Sequence, residues 1–208
     1  MKKYRNRAQA GQVLAEILRA SSLSVDAVLA LPRGGVPVAS VIAKTLNAPL
    51  DVFIVRKLGV PGHEELAMGA IASPDVCVFN ESIIRDLNID QADINEEISN
   101  ERKELKRREH LYRHNKTPLV LANKVVVLVD DGIATGASMR AAILALKQLS
   151  PKQIILAVPV ADAEMIHSFA PLVDQVICPL QPDSLVAVGA WYDDFTQTED
   201  SEVQALLE

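Results

Sequence analysis

Five branched residues in a row, Val125 to Val129, stand between Lys124 and Asp130. A run that is apolar at every position suits a central parallel strand covered on both faces. Beyond it the period changes: Met139, Ala142, Ile143, Leu146 and Leu149 recur at helical spacing, so the strand is predicted to pass through a short loop into a helix. The same alternation runs along the chain. Val13, Leu14, Ile17 and Leu18 mark an amphipathic helix, Ala27 to Leu31 a short strand stopped by Pro32, and Val38 to Leu46 a second helix. Asp51 to Val55 and Gly69 to Ala72 read as strands, as do Gln153 to Val158 and Val173 to Ile177, with a helix over Ala163 to Phe169 between the last two. From Ile83 to Tyr112 the residues Ile94, Ile98, Leu105 and Tyr112 keep one apolar stripe, which predicts a long helix. Strand and helix alternating in this way imply an α/β fold, an open parallel sheet wound with helices.

Composition narrows the function classes. A chain of 208 residues with 49% hydrophobic content can bury a sizeable core, and a single domain over 1–208 is expected. Its net charge of −6 supplies no broad basic field, so nucleic acid is not an expected partner and an anion must be held by local groups. Lys2, Lys3, Arg5 and Arg7 resemble the start of a signal peptide, but Glu16 and Arg19 interrupt the apolar stretch that follows, and no segment reaches membrane-spanning length. A cytoplasmic protein without membrane contact is expected. Cys77 and Cys178 lie far apart in strand-like runs and read as buried thiols rather than a redox pair or a zinc site.

Chemistry enters where the apolar run ends. Asp130 and Asp131 form a carboxylate pair that can accept hydrogen bonds from two neighbouring sugar hydroxyls. Ala134, Thr135, Gly136, Ala137 and Ser138 are small or hydroxylic, and a helix opening there presents unpaired N–H groups to a phosphate. Each half alone is common, since acids end strands and small residues cap helices; the joint pattern fits a ribose 5-phosphate. No Lys follows the second Gly, which excludes a Walker A loop, and no G-x-G-x-x-G is present. A second candidate loop, Pro32-Arg33-Gly34-Gly35-Val36-Pro37, leaves a strand and enters a helix, placing two glycines beside a cation in a manner suited to a diphosphate. Arg56-Lys57 closes the Asp51–Val55 strand at the edge where ligands of open parallel sheets gather.

Val126 to Ser138 resembles the thirteen-residue phosphoribosyl pyrophosphate (PRPP) signature of type I phosphoribosyltransferases: four apolar residues, two acids, two spacers, then Ala-Thr-Gly-x-Ser. Gly132 departs from the pattern, standing where the family usually has an aliphatic residue or Ser, and is expected to loosen the turn. The resemblance implies that Arg33, Gly34 and Gly35 form a pyrophosphate loop with a cis peptide near the Arg33–Gly34 step. It also implies that Lys57 contacts the pyrophosphate, with Arg56 packing or pairing elsewhere. Leu58 to Met68, with Gly59, Pro61 and Gly62, would be a mobile loop that closes over the reacting sugar; His63 within it reads as solvated. Most of the chain resembles predicted phosphoribosyltransferases whose acceptor is unassigned.

The C-terminal residues 181–208 are expected to form a small hood. Leu185 to Phe195 carries Trp191, Tyr192 and Phe195 in a chain with one Trp, three Tyr and four Phe. Val-Gly followed by Asp193 four residues after Gly189 is similar to the hood of 6-oxopurine transferases, which implies Val188, Trp191 and Asp193 as base contacts and Asp193 as a magnesium contact. Ala134, where those enzymes carry an Asp, is instead as in adenine transferases. The resulting expectation is Mg2+-dependent transfer of a phosphoribosyl group from PRPP to a nitrogenous base, with Asp130, Asp131 and Lys57 as the catalytic set. A PRPP-binding sensor and a PRPP hydrolase remain alternatives. The charge-rich helical insertion, about 83–113, reads as a solvated face, with a partner or homodimer surface as the other reading.

Overall fold

The computed structural model describes residues 3–114 and 116–208, with all their side chains except those at positions 64 and 65. Lys2, part of the basic opening run, lies outside the described residues. In chain order the elements are α1 (Arg7–Ala20), β1 (Ala27–Ala30), α2 (Gly35–Leu46), β2 (Leu50–Val52), β3 (Val55–Val60), β4 (His63–Ala72), β5 (Val76–Phe79), α3 (Glu81–Asp86) and α4 (Gln91–Arg113). There follow β6 (Val125–Val129), α5 (Ala137–Gln148), β7 (Gln153–Ala157), α6 (Ala163–Phe169), β8 (Gln175–Ile177) and α7 (Asp200–Leu207).

Five strands form one parallel sheet in the order β2-β1-β6-β7-β8. β6 lies at its centre, and all five of its branched residues are buried between two layers of helices. Val126 pairs with Ala27 on one side and Ile154 on the other. Every βα crossover therefore delivers its loop to the carboxyl edge of this sheet, and β1 and β6, being neighbours, place their loops side by side. Asn6 caps α1 by accepting a hydrogen bond from Gln9 N at 3.0 Å, and Leu14 and Leu18 bury the face of α1 that packs on α2. Among the described residues no helix is long and apolar enough to cross a membrane.

The middle of the chain departs from the sequence reading. The strand expected over Asp51–Val55 stops at Val52, because the chain leaves the parallel sheet and starts the antiparallel sheet β3-β4-β5 at Val55. The expected loop over 58–68 is instead a hairpin, in which Val60 and His63 flank the tight turn Pro61-Gly62 and Gly62 takes φ +75°. The left-handed angle suits glycine there. The one helix expected from Ile83 to Tyr112 is two, α3 and α4, broken at Asn88, which has φ +48°.

α4 is far less solvated than its charge run suggested. Ile94, Leu105 and Tyr112 are buried, as the apolar stripe predicted. Its charged residues also reach inward: Arg113 is 7% exposed and donates to Asp51 Oδ1 (2.9 Å), Ser73 Oγ (3.0 Å) and Val52 O (2.8 Å). Glu97 accepts from Gly59 N at 3.0 Å, and Glu109 accepts from Arg113 and from Ser73. Ion pairs thus bind α4 to the junction where the chain leaves one sheet for the other. Cys178 is buried, as expected, and burial pushes its thiol up to about 12; Cys77 is only half-buried.

Candidate active site

Asp130 and Asp131 follow directly on the buried end of β6. The Asp131 backbone N donates to Asp130 Oδ1 at 2.8 Å, which holds the Asp130 carboxylate against the main chain. Burial raises the pKa of both; the charge of Asp131 raises Asp130 further, while the Arg7 guanidinium works the other way on Asp131. Arg7, from the start of α1, donates through Nε to Asp131 Oδ2 at 2.8 Å and through Nη1 to Thr196 O at 2.8 Å. Its guanidinium lies 3.9 Å from the centre of the Phe195 ring. Tyr192 Oη donates to Asp131 O at 2.6 Å, and burial raises the Tyr192 phenol. In the sequence Arg7 is simply the last cation of a basic opening run. No local pattern could have paired it with an acid 124 positions away.

The glycines of the first loop have a role that residue type alone did not disclose. A Cβ on Gly34 would overlap the carboxylate of Asp131, and one on Gly35 would lie 2.8 Å from Val129 O. The β1 and β6 loops are therefore packed backbone to carboxylate, which only glycine permits. The cis peptide joins Pro32 to Arg33, one step before the position the resemblance pointed to. Arg33 does not line the cleft beside Asp130; its Nη1 stands 3.6 Å from Asp200 Oδ1 of α7, with about a third or more of each side chain exposed. Gly132 does not loosen its turn. An added Cβ there would lie 2.6 Å from Val188 Cγ1 and 2.9 Å from Val160 Cγ1, so glycine lets the C-terminal segment close onto the acid loop.

Across the loop, Ala134, Thr135, Ala137 and Ser138 are exposed. Gly136 takes φ +73° at the N-cap of α5, where a Cβ would lie 2.7 Å from Met165 Sδ. The first helical bond runs from Arg140 N to Gly136 O at 2.8 Å, so the N–H groups of Ala137, Ser138 and Met139 precede any helical acceptor. They are oriented for an anion.

Between these loops and the antiparallel sheet lies a cleft of about 260 Å³, lined by Leu31, Pro32, Phe53, Ile54, Val55, Arg56, Lys57, Arg108, Asp130 and Ser138. Arg56 and Lys57 occur early in β3 rather than at the end of a parallel strand, yet they still reach this edge. Arg56 is held by Glu101 of α4, Nε to Oε2 at 2.5 Å and Nη2 to Oε1 at 3.1 Å, while Lys57 is exposed. Arg108 was hidden in the charge run of α4.

Of the expected base contacts, Val188 sits over Gly132, Trp191 is half-buried and Asp193 is exposed. The backbone of this segment pairs with the N-terminal residues: Tyr4 N donates to Trp191 O at 2.9 Å and Asp193 N to Tyr4 O at 2.8 Å. Among the described residues no three or more His, Cys, Asp or Glu side chains gather as a metal site. His63 is exposed at the start of β4.

Two strains of Mycobacterium tuberculosis, CDC 1551 / Oshkosh and ATCC 25618 / H37Rv, each have a protein named "Putative phosphoribosyl transferase" that is 42% identical over 208 residues. All of this chain is aligned, against 47% of theirs, so the chain spans about half the length of the curated relatives it matches. The crystal structure of TT1426 from Thermus thermophilus matches with a TM-score of 0.90 at 39% identity, over 99% of this chain and 97% of that one. AQ2163 from Aquifex aeolicus, at 12% identity and a TM-score of 0.52 over 88% of this chain and 78% of that one, shares the fold alone. The family model for the phosphoribosyl transferase domain matches residues 2–167. With the acid pair, the amide loop and the parallel sheet that presents them, this match makes the chain a member of the phosphoribosyl transferase domain family.

Proposed function

We propose that the chain transfers the 5-phosphoribosyl group of PRPP to a nitrogenous base, most simply a nucleobase, and releases diphosphate. The observation that carries this reading is the placement of Asp130 and Ser138 on one wall of a cleft whose other wall holds Lys57. In the reaction the bond from C1 to the diphosphate oxygen breaks and its electron pair leaves with the diphosphate. A bond from C1 to the base nitrogen forms, and the proton of that nitrogen passes to solvent.

The amides at the start of α5, with Thr135 and Ser138, would hold the 5′-phosphate and so set the position of C1. Asp130 and Asp131 would accept from the ribose hydroxyls and favour the positive charge that develops on the sugar as the bond stretches. The Arg7 guanidinium favours the ionised form of Asp131 against its burial, which this role requires. Lys57 would offset charge on the departing diphosphate, and Gly34 and Gly35 allow the first loop to approach it closely. Magnesium in this reading arrives with the diphosphate as part of the substrate. Val188, Trp191 and Asp193 would border the base.

The test measures diphosphate release from PRPP and magnesium with each common nucleobase and with none, followed by mass analysis of the products. Release that depends on one base, with the matching nucleotide formed, supports the transferase and names the acceptor. Ribose 5-phosphate appearing without any base would replace it with a hydrolase. Tight PRPP binding with no release across all bases would replace it with a sensor.

A further inference from the structure

We infer that Arg108 of α4 is a diphosphate-binding residue, so that the long charged helix supplies one wall of the substrate site. The inference rests on the PRPP reading above. Arg108, Lys57 and Arg56 line the same cleft as Asp130 and Ser138, three cations gathered in a chain whose net charge is −6. They do not contribute equally. Both nitrogens that Arg56 directs at Glu101 are engaged by that carboxylate, which neutralises it and ties β3 to α4. Lys57 and Arg108 supply the remaining positive charge.

The setting of Arg108 favours an oxyanion ligand. Its Nε donates to Glu104 Oε1 at 2.7 Å, and among the described residues its terminal nitrogens have no hydrogen-bond partner. Glu104 is shared with Arg107, which donates to Oε2 at 2.7 Å and to Oε1 at 2.9 Å. One carboxylate thus holds two guanidinium groups, and the trio keeps one positive charge. The two guanidiniums pull the Glu104 carboxyl down to about 2. Arg107 is 59% exposed and lines no part of the cleft, whereas Arg108 is 33% exposed and does. The helix beneath it is fixed at Gly59 by Glu97 and at Asp51 by Arg113. A planar fork held this way, on a residue that lines the cleft and with terminal N–H groups unpaired among the described residues, matches two oxygens of a phosphate better than it matches a base. The aromatic side chains Trp191 and Phe195 lie outside this cleft, packed with Tyr4.

Titration calorimetry on the full chain would use three probes, magnesium diphosphate, ribose 5-phosphate and magnesium PRPP, with the wild type and the variants Arg108→Gln and Arg107→Ala. Gln at 108 keeps a donor for Glu104, and circular dichroism checks that the helix persists. Expected is a loss of roughly tenfold or more in affinity for diphosphate and PRPP in Arg108→Gln, as for the removal of a charge-assisted hydrogen bond. Ribose 5-phosphate should bind as to the wild type, and Arg107→Ala, which also removes a Glu104 partner, should bind all three normally. Diphosphate affinity unchanged in Arg108→Gln, or equally reduced in Arg107→Ala, would overturn the inference while leaving the PRPP reading intact. A wild type that binds neither diphosphate nor PRPP would remove both.

Discussion

The two faces of the cleft are built by opposite means. On one side, the loop from Asp130 to Ser138 grows out of a strand whose five residues are all buried, and backbone geometry does most of the positioning. On the other, polar contacts hold α4 in place: Arg56 and Gly59 of β3 bond Glu101 and Glu97, and Arg113, braced by Glu109 on the same helix, bonds Asp51 of β2 and Ser73 beyond β4. On the first face an added Cβ at Gly34, Gly35, Gly132 or Gly136 would meet a neighbouring atom within 3 Å, so side-chain volume is its main constraint. The second depends on polar partners that are costly to leave unpaired once buried. A site assembled from both combines a rigid anchor with a wall whose position is set by a few specific pairs.

Removing the central pair of the second face should have the largest effect. Arg113→Met leaves Asp51, which is 8% exposed, without its cation, and a loss of about 3–5 kcal/mol is expected in urea unfolding. A loss under about 1 kcal/mol would mean that apolar packing, rather than these ion pairs, holds α4. Arg7→Met tests whether the first face has a polar dependence of its own. It should cost about 2–3 kcal/mol, because the Arg7 and Asp131 side chains are only 11% and 14% exposed. It should also reduce turnover more than PRPP affinity, with Arg7→Lys restoring part of both.

Volume is the next test. Gly132→Ala drives a methyl toward Val188 and should cost about 1–3 kcal/mol by thermal melting. Adding Val188→Ala should recover part of that loss, since the two positions are in contact and their effects should not add. Equal losses with and without the second substitution would assign the cost to Val160 or to the φ of +158° at Gly132 instead.

The smallest expected effect has the opposite sign. Asp130 has a raised pKa in the folded chain, chiefly from burial and then from the Asp131 charge, so its ionisation costs stability at neutral pH. That cost is full above the folded value and absent below the ordinary carboxylate value of about 4. Asp130→Asn should therefore stabilise the ligand-free protein by about 1 kcal/mol at about pH 7, with the gain fading toward about pH 4, while turnover falls. A variant no more stable than the wild type at neutral pH would show that the carboxylate is already relieved by its surroundings.

Much of the first face could be read in the sequence because its cause is local. The strand Val125–Val129 and the helix Ala163–Phe169 have the predicted bounds, since a fully apolar run and a helical period each describe burial along one element. The region after Val52 is not legible for the same reason, since its course is set by contacts distant in the chain. Arg56-Lys57 looks like a strand end only if Asp51–Val55 stays in the parallel sheet. The break at Phe53–Ile54 depends on where β4 and α4 lie.

By itself, the sequence determined the α/β class, the acid pair at the end of the central strand and the small-residue loop that opens the next helix, because hydrophobic period and residue type act within a dozen positions. Tertiary structure alone decided that Arg7 holds Asp131, that Gly34 and Gly132 make room for partners far along the chain, and that Arg108 faces the cleft. Those are meetings between groups separated by many residues. Which charges in a run such as Glu101 to Arg108 turn inward follows from the neighbours that folding brings beside them, and the order of the charges does not record it.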